Sequence, residues 1–362
     1  MAYTTIDDGS KNFQTTLYTG NNDVQVVTNT GNSNLQPDLV WLKQRTNARY
    51  HRLLDSSRGT AKNLYSNVDD AEGTESSLTA FGSDGFTLAA DGSSDGWNEN
   101  SDAHVAWQWK ANGGTATATG AESGNNPAYS VQANQAAGFS IVTYTGTGAE
   151  GDVTHGLGGK PDWILVKNRD ESSDSNWLEW HKSIVDATAD NGGYLYLNTD
   201  AQDQATSVFY EGDAISSTVV AFKGGNQNNN KNDIKYLMYC WRSIPGFSKF
   251  GGYLGNGNAD GAFVYTGFKP AWLMIKMLSA DSNHWMIDSV REPTNPAGQK
   301  FFYADANTAE VSSNKALDLL SNGFKCRAAT GFHNDNGARY AYMAFAEHPF
   351  VSSEGTPVTA RA

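Results

Sequence analysis

The chain has 362 residues, 18% of them charged, and 39 acidic against 26 basic side chains leave a net charge of −13. That acidity repels phosphate backbones and anionic bilayers, so neither nucleic acid nor membrane insertion is expected. With 12% aromatics, 37 glycines and a mean hydropathy of −0.52, the composition excludes disorder and a helical bundle and points to many short strands around ring-built cores.

Residues 1–8 carry no basic stretch followed by an apolar one, so a secretory leader is not expected. A first unit then opens on the turn Tyr18-Thr19-Gly20. It continues through Pro37-Asp38-Leu39-Val40-Trp41-Leu42-Lys43, the polar-aromatic strand at 51–55, Leu64-Tyr65-Ser66-Asn67 and a closing strand at 105–109. The same order returns at Tyr144-Thr145-Gly146, Pro161-Asp162-Trp163-Ile164-Leu165-Val166-Lys167, 177–181, Leu195-Tyr196-Leu197-Asn198 and 237–241. It returns once more at Tyr253-Leu254-Gly255, Pro270-Ala271-Trp272-Leu273-Met274-Ile275-Lys276, 284–288, Phe302-Tyr303-Ala304-Asp305 and 342–345. A threefold internal repeat is the organising feature.

Short apolar runs such as Trp163-Ile164-Leu165-Val166 and Trp272-Leu273-Met274-Ile275 predict strands buried on both faces. The one stretch with helical spacing is 314–320. The prediction is an all-β fold of three tandem related β-sandwich modules, jelly-roll or lectin-like, at 1–112, 138–245 and 246–350. A Gly/Ala/Thr/Asn-rich linker at 113–137, with a candidate strand at Tyr129-Ser130-Val131, predicts a loosely tethered first module. The short joint Ser243-Ile244-Pro245-Gly246-Phe247 predicts a rigid second and third pair, and 351–362 reads as a polar tail.

His51, Asp55 and Arg58 recur as His284, Asp288 and Arg291, while the second unit loses the pattern. A His with a carboxylate suits acid–base work, but spacing of four along a strand equally makes a polar stripe, and that reading is preferred. Lys43, Lys167 and Lys276 each end a buried strand, with the stem on apolar surface; a sugar or interface contact is the alternative. Cys240 and Cys326 sit in aromatic stretches and read as buried free thiols. No cofactor is expected; the acidic and amide loops at 91–96, 226–233 and 256–261 are the calcium candidates, although Asx-Gly pairs are above all turn formers. Nucleophile elbows, Walker loops and zinc-protease motifs are absent, so no enzyme is expected and no catalytic residue is named. Trp97, Trp177, Trp180, Trp285 and Tyr210 lie in polar surroundings and are the candidate ligand-binding rings, for stacking on sugars or anchoring an interface.

The stretch Gln36-Pro37-Asp38-Leu39-Val40-Trp41-Leu42-Lys43-Gln44-Arg45-Thr46-Asn47-Ala48-Arg49 resembles a module common in tailed-bacteriophage virion proteins, notably of marine phages. Gly138-Phe139-Ser140-Ile141-Val142-Thr143-Tyr144-Thr145-Gly146 with Pro161-Asp162-Trp163-Ile164-Leu165-Val166-Lys167, and Tyr265-Thr266-Gly267-Phe268-Lys269-Pro270-Ala271-Trp272 with Ala344-Phe345-Ala346-Glu347-His348-Pro349-Phe350, are similar to the same family. The resemblance implies a virion structural protein, expected in a tail fibre, spike or other appendage that contacts a host-cell surface glycan or protein in a lectin-like way. The alternatives are a capsid decoration (cement) protein and a polysaccharide depolymerase. Other virion proteins are the expected partners, with a homo-oligomer, favoured as a trimer, made in the host cytoplasm.

Overall fold

The computed structural model describes residues 4–91, 96–184, 193–204, 209, 214–297, 300–313, 317–329 and 333–356. The fold is all-β, and its three modules share one plan. In the first, the main antiparallel sheet runs Phe13–Thr19, Ala103–Trp109, Leu39–Gln44, Arg52–Asp55 and Leu64–Tyr65 from edge to edge. The second places Phe139–Thr145, Lys235–Trp241, Trp163–Asn168, Leu178–His181 and Leu195–Tyr196 in the same order. The third uses Ser248–Leu254, Arg339–Pro349, Phe268–Met277, Trp285–Asp288 and Lys300–Tyr303. Register preserves the repeat: Leu39 lies opposite Trp109, Trp163 opposite Trp241 and Trp272 opposite Phe345.

A smaller sheet covers the outer face of each main sheet. In the first module it is Gln25–Val27, Gly85–Leu88 and Leu78–Gly82; in the second, Gly151–Thr154 with Val219–Phe222; in the third, Phe263–Tyr265, Gly323–Cys326 and Leu317–Leu320. Residues 317–320, where the sequence predicts a helical turn, form a strand; pairing with 323–326 across the tight turn at Ser321-Asn322 overrides the local spacing. Residues 314–316 lie outside the described residues.

The central strands are apolar on both faces because each face enters a different core. Leu39 and Trp41 point to the middle of the molecule, whereas Val40 and Leu42 point to the first module's own small sheet. Trp163 and Leu165 divide in the same way from Ile164 and Val166, and Trp272 and Met274 from Leu273 and Ile275. The middle core thus belongs to all three modules. Trp109 of the first packs edge-on against Trp241 of the second at 6.1 Å and Trp272 of the third at 5.8 Å between ring centroids. Each such indole buries roughly 150–250 Å², worth up to about 4–6 kcal/mol.

The first module is accordingly not loosely tethered. Within 113–137, Ala118–Gly120 and Tyr129–Asn134 form strands, and the latter pairs along Phe139–Thr145 to extend the second main sheet to seven strands. Its small and polar residues suit an outer strand with one solvated face. Modules one and three also touch directly, so the three close into a ring with pseudo-threefold symmetry.

Candidate functional site

The residues that the repeats share are spent on the joints between modules. Lys167 donates to Asp69 O of the first module at 3.0 Å, Lys276 to Asp200 O of the second at 2.8 Å, and Lys43 to Asn307 O of the third at 3.4 Å. One lysine thus spans each joint, and the cycle closes. Burial pushes Lys43 down to about 7, helped by Arg49, and Lys167 down to about 8, against the pull of Asp69 and Asp70.

The polar stripe serves the same purpose. Arg58 Nε donates to Asp55 at 2.5 Å and its Nη1 to Glu72 at 3.1 Å; Glu72 is gripped from the second module by the Arg169 fork at 2.8 and 2.9 Å. Arg291, Asp288 and Glu310 repeat this arrangement, with Arg45 of the first module as the fork at 3.0 and 2.9 Å. The rings of neighbouring modules complete both carboxylates: Tyr239 Oη donates to Asp55 at 2.7 Å and Trp107 Nε1 to Asp288 at 3.1 Å. The joint between modules two and three uses other chemistry. His284 Nε2 meets Glu179 at 2.8 Å, and Trp163 Nε1 donates to the other carboxylate oxygen at 2.8 Å. Burial alone would lower the His284 pKa, but the Glu179 carboxylate turns the shift upward; His51, lacking such a partner, is driven well below the ordinary histidine value by burial and by Lys43. Both histidines are fully buried, which suits holding a joint and gives a substrate no approach.

Two of the candidate calcium loops, 226–233 and 256–261, and the loop at 21–23 beside the third share an internal amide clamp; residues 92–95 of the third lie outside the described residues. Buried Asn98, Asn230 and Asn334 each accept from a loop N–H, of Asn21, Thr147 and Asn256, and each donates to a carbonyl of the same loop, of Asp23, Ala149 and Asn258. Asp91 accepts from the backbone N–H groups of Trp97 and Asn98. Among the described residues, no group of three or more His, Cys, Asp or Glu is placed to hold a metal ion.

The tryptophans singled out for ligand stacking are all core residues, none more than 5% exposed. Trp177 lies in the shared core and donates to Tyr65 O of the first module at 2.7 Å; Trp180 packs in the second module's core; Trp285 stacks on His333 at 4.9 Å. Trp97 donates to Ala89 O at 3.2 Å and lies beneath Arg52. Trp180 and Trp285 lie in strands, where a ring flanked by polar residues can still face the core. Tyr210 lies outside the described residues. Cys240 and Cys326 are buried free thiols, their pKa values raised by burial.

An open polar-aromatic cleft remains, of about 330 Å³, where the first module meets the third. Its floor is a stack in which the Arg52 guanidinium lies 5.1 Å from the Tyr65 ring centre and 4.6 Å from that of Trp97. Tyr50, 44% exposed, leans over Tyr65 at 5.4 Å, and Asn307 of the third module completes the wall. Arg49 is matched by Glu99 at 2.7 Å and Arg52 by Glu75 at 3.2 Å, so the cleft is polar and close to charge-neutral.

The model of a family described as a domain of unknown function, DUF7483, matches residues 8–349, a span that takes in all three modules. The chain belongs to that family. No curated protein matches it. The match treats the DUF7483 ring as one unit, in keeping with a core that no single module completes. In this DUF7483 chain the cleft residues Tyr50, Arg52, Tyr65, Glu75 and Asn307 escaped sequence reading, yet one signal was present. Arg52 stands where the other repeats carry Leu178 and Trp285, so a cation occupies a buried position that is apolar in the other two modules. Chemically, tyrosine faces with amide, carboxylate and guanidinium groups around them suit a polyhydroxylated ring.

Proposed function

We propose that the protein is a bacteriophage virion structural protein of a tail fibre, spike or related appendage, which contacts the host surface by lectin-like binding in the Tyr50–Tyr65 cleft. The observation that carries this reading is the cleft itself, an exposed tyrosine over a Tyr–Arg–Trp stack on a frame locked by three modules. Rigid walls lower the ordering cost of binding a flexible saccharide. The resemblance of the repeats to phage virion modules supplies the setting, and the dedication of the His, Asp and Arg residues to buried joints supports binding rather than turnover. The test is titration of the purified chain against neutral bacterial surface oligosaccharides. Tyr50→Ala should abolish binding without lowering the melting temperature, and an unchanged affinity would sink the assignment. A second reading, a head decoration protein, is favoured by one feature: a pseudo-threefold ring matches a threefold lattice site. Immunogold over the head rather than the tail would select it.

A further inference from the structure

The strand position held by Phe13, Phe139 and Ser248 is equivalent in the three modules, opposite Trp109, Trp241 and Phe345. Phe13 stacks across its joint on Phe345 of the third module at 5.3 Å between ring centroids. Between modules one and two, the added strand Tyr129–Asn134 seals the gap, and Gln132 Nε2 donates to Ser56 and Ser57 at 2.8 and 2.6 Å. Between three and one, Phe13 and Gln14 close against Ala271 and Val290 and leave about 50 Å³. Between two and three, Ser248 and Lys249 replace the Phe and Gln, and the gap opens to about 320 Å³. Phe247 and Phe250 keep aromatic rings in the core here, and the polar pair Ser248 and Lys249 lines the opening.

The groups around the opening are suited to an anion. Lys249 Nζ lies 5.8 Å from the centre of the Tyr265 ring and has no ion-pair partner among the described residues, while Lys182, also in the wall, is paired with Asp162 at 3.1 Å. Tyr265 is 49% exposed, and Phe263, two residues earlier on the same strand and therefore on the same face, is 48% exposed. Beside the half-exposed Tyr265, this cation attracts anions against the overall field of a chain of net charge −13.

We infer that this cleft is a binding subsite for an acidic oligosaccharide, with sugar rings on Tyr265 and Phe263 and a carboxylate on Lys249. It is separate from the Tyr50–Tyr65 cleft and stands whether or not that one binds sugar. The experiment is calorimetric titration of the full chain with a galacturonic acid trisaccharide and, in parallel, with its methyl ester. The acid should bind and the ester should not. Lys249→Gln and Tyr265→Thr, which restore the residues of the first module (Gln14, and Thr28, which follows Val27 opposite Phe86 as Tyr265 follows Val264 opposite Phe324), should each weaken the acid about tenfold while leaving the melting temperature unchanged. Tyr50→Ala should leave the acid's affinity intact, which separates this subsite from the proposed neutral one. Equal binding of acid and ester, an unaffected Lys249→Gln, or no binding of the acid to the wild-type chain would each overturn the inference.

Discussion

Replacing Glu72 by Gln tests whether the joints hold the ring together. Glu72 is 7% exposed and takes hydrogen bonds from Arg58 at 3.1 Å and from the Arg169 fork at 2.8 and 2.9 Å. Burial works to raise its pKa, but the two guanidinium groups outweigh this and hold the carboxyl at about 2, against 4.5 for a free glutamate. Carried through linkage, that difference amounts to about 3 kcal/mol, and the solvent-facing side of the Arg169 fork reduces it to about 2 kcal/mol. The sign follows from a depressed folded-state value: the stabilisation is complete above pH 4.5 and is lost as pH falls through 2. Urea denaturation should therefore show Glu72→Gln less stable than wild type by about 2 kcal/mol at pH 7, with the gap shrinking to roughly a quarter by pH 2.5. A gap below about 0.5 kcal/mol at pH 7, or one that stays constant down to pH 2.5, would refute the reasoning.

Trp109→Ala should cost about 3–5 kcal/mol and lower one shared calorimetric transition, because its ring touches all three modules; separate melting of modules would contradict the common core. Asn334→Ala should cost about 2–3 kcal/mol in urea by freeing the buried loop groups of Asn256 and Asn258, and Asn98→Ala should match it within about 1 kcal/mol. Lys43 is held near 7 when folded and returns to 10.5 when unfolded, so the unfolded chain binds more protons between these values and stability rises with pH there. The urea midpoint should climb from pH 7 to pH 9, and Lys43→Met should remove part of that slope.

The repeats and the all-β class were legible because both are written in local chain order: turns, short apolar runs, closing aromatic strands. The apolar runs even announced two buried faces. What they lacked was the identity of the second partner, since Trp41 and Trp163 read alike whether the inner face packs on a sheet of the same module or on a neighbour. The ring-closing contacts join residues as distant as Arg45 and Glu310, and no local pattern marks them. The aromatic reading failed for a related reason. Polar neighbours in the chain predict exposure for Trp180 and Trp285, but in a strand alternate positions face opposite ways, and a ring between polar residues points inward as readily as outward.

Internal symmetry supplies the comparison that one sequence otherwise lacks. Where all three modules keep a residue type, as at Lys43, Lys167 and Lys276 or at Asn98, Asn230 and Asn334, the residue holds a joint or a loop. Where one module departs, the surface opens. Arg52 replaces an apolar side chain at the floor of one cleft, and Ser248 with Lys249 stands at the mouth of the other where the first module has Phe13 and Gln14. A closed ring tolerates such departures because its stability comes from a core shared by three sheets, so one module's edge can exchange packing for chemistry without losing its place. Binding groups are therefore to be sought at the positions that break the repeat, not at those that define it.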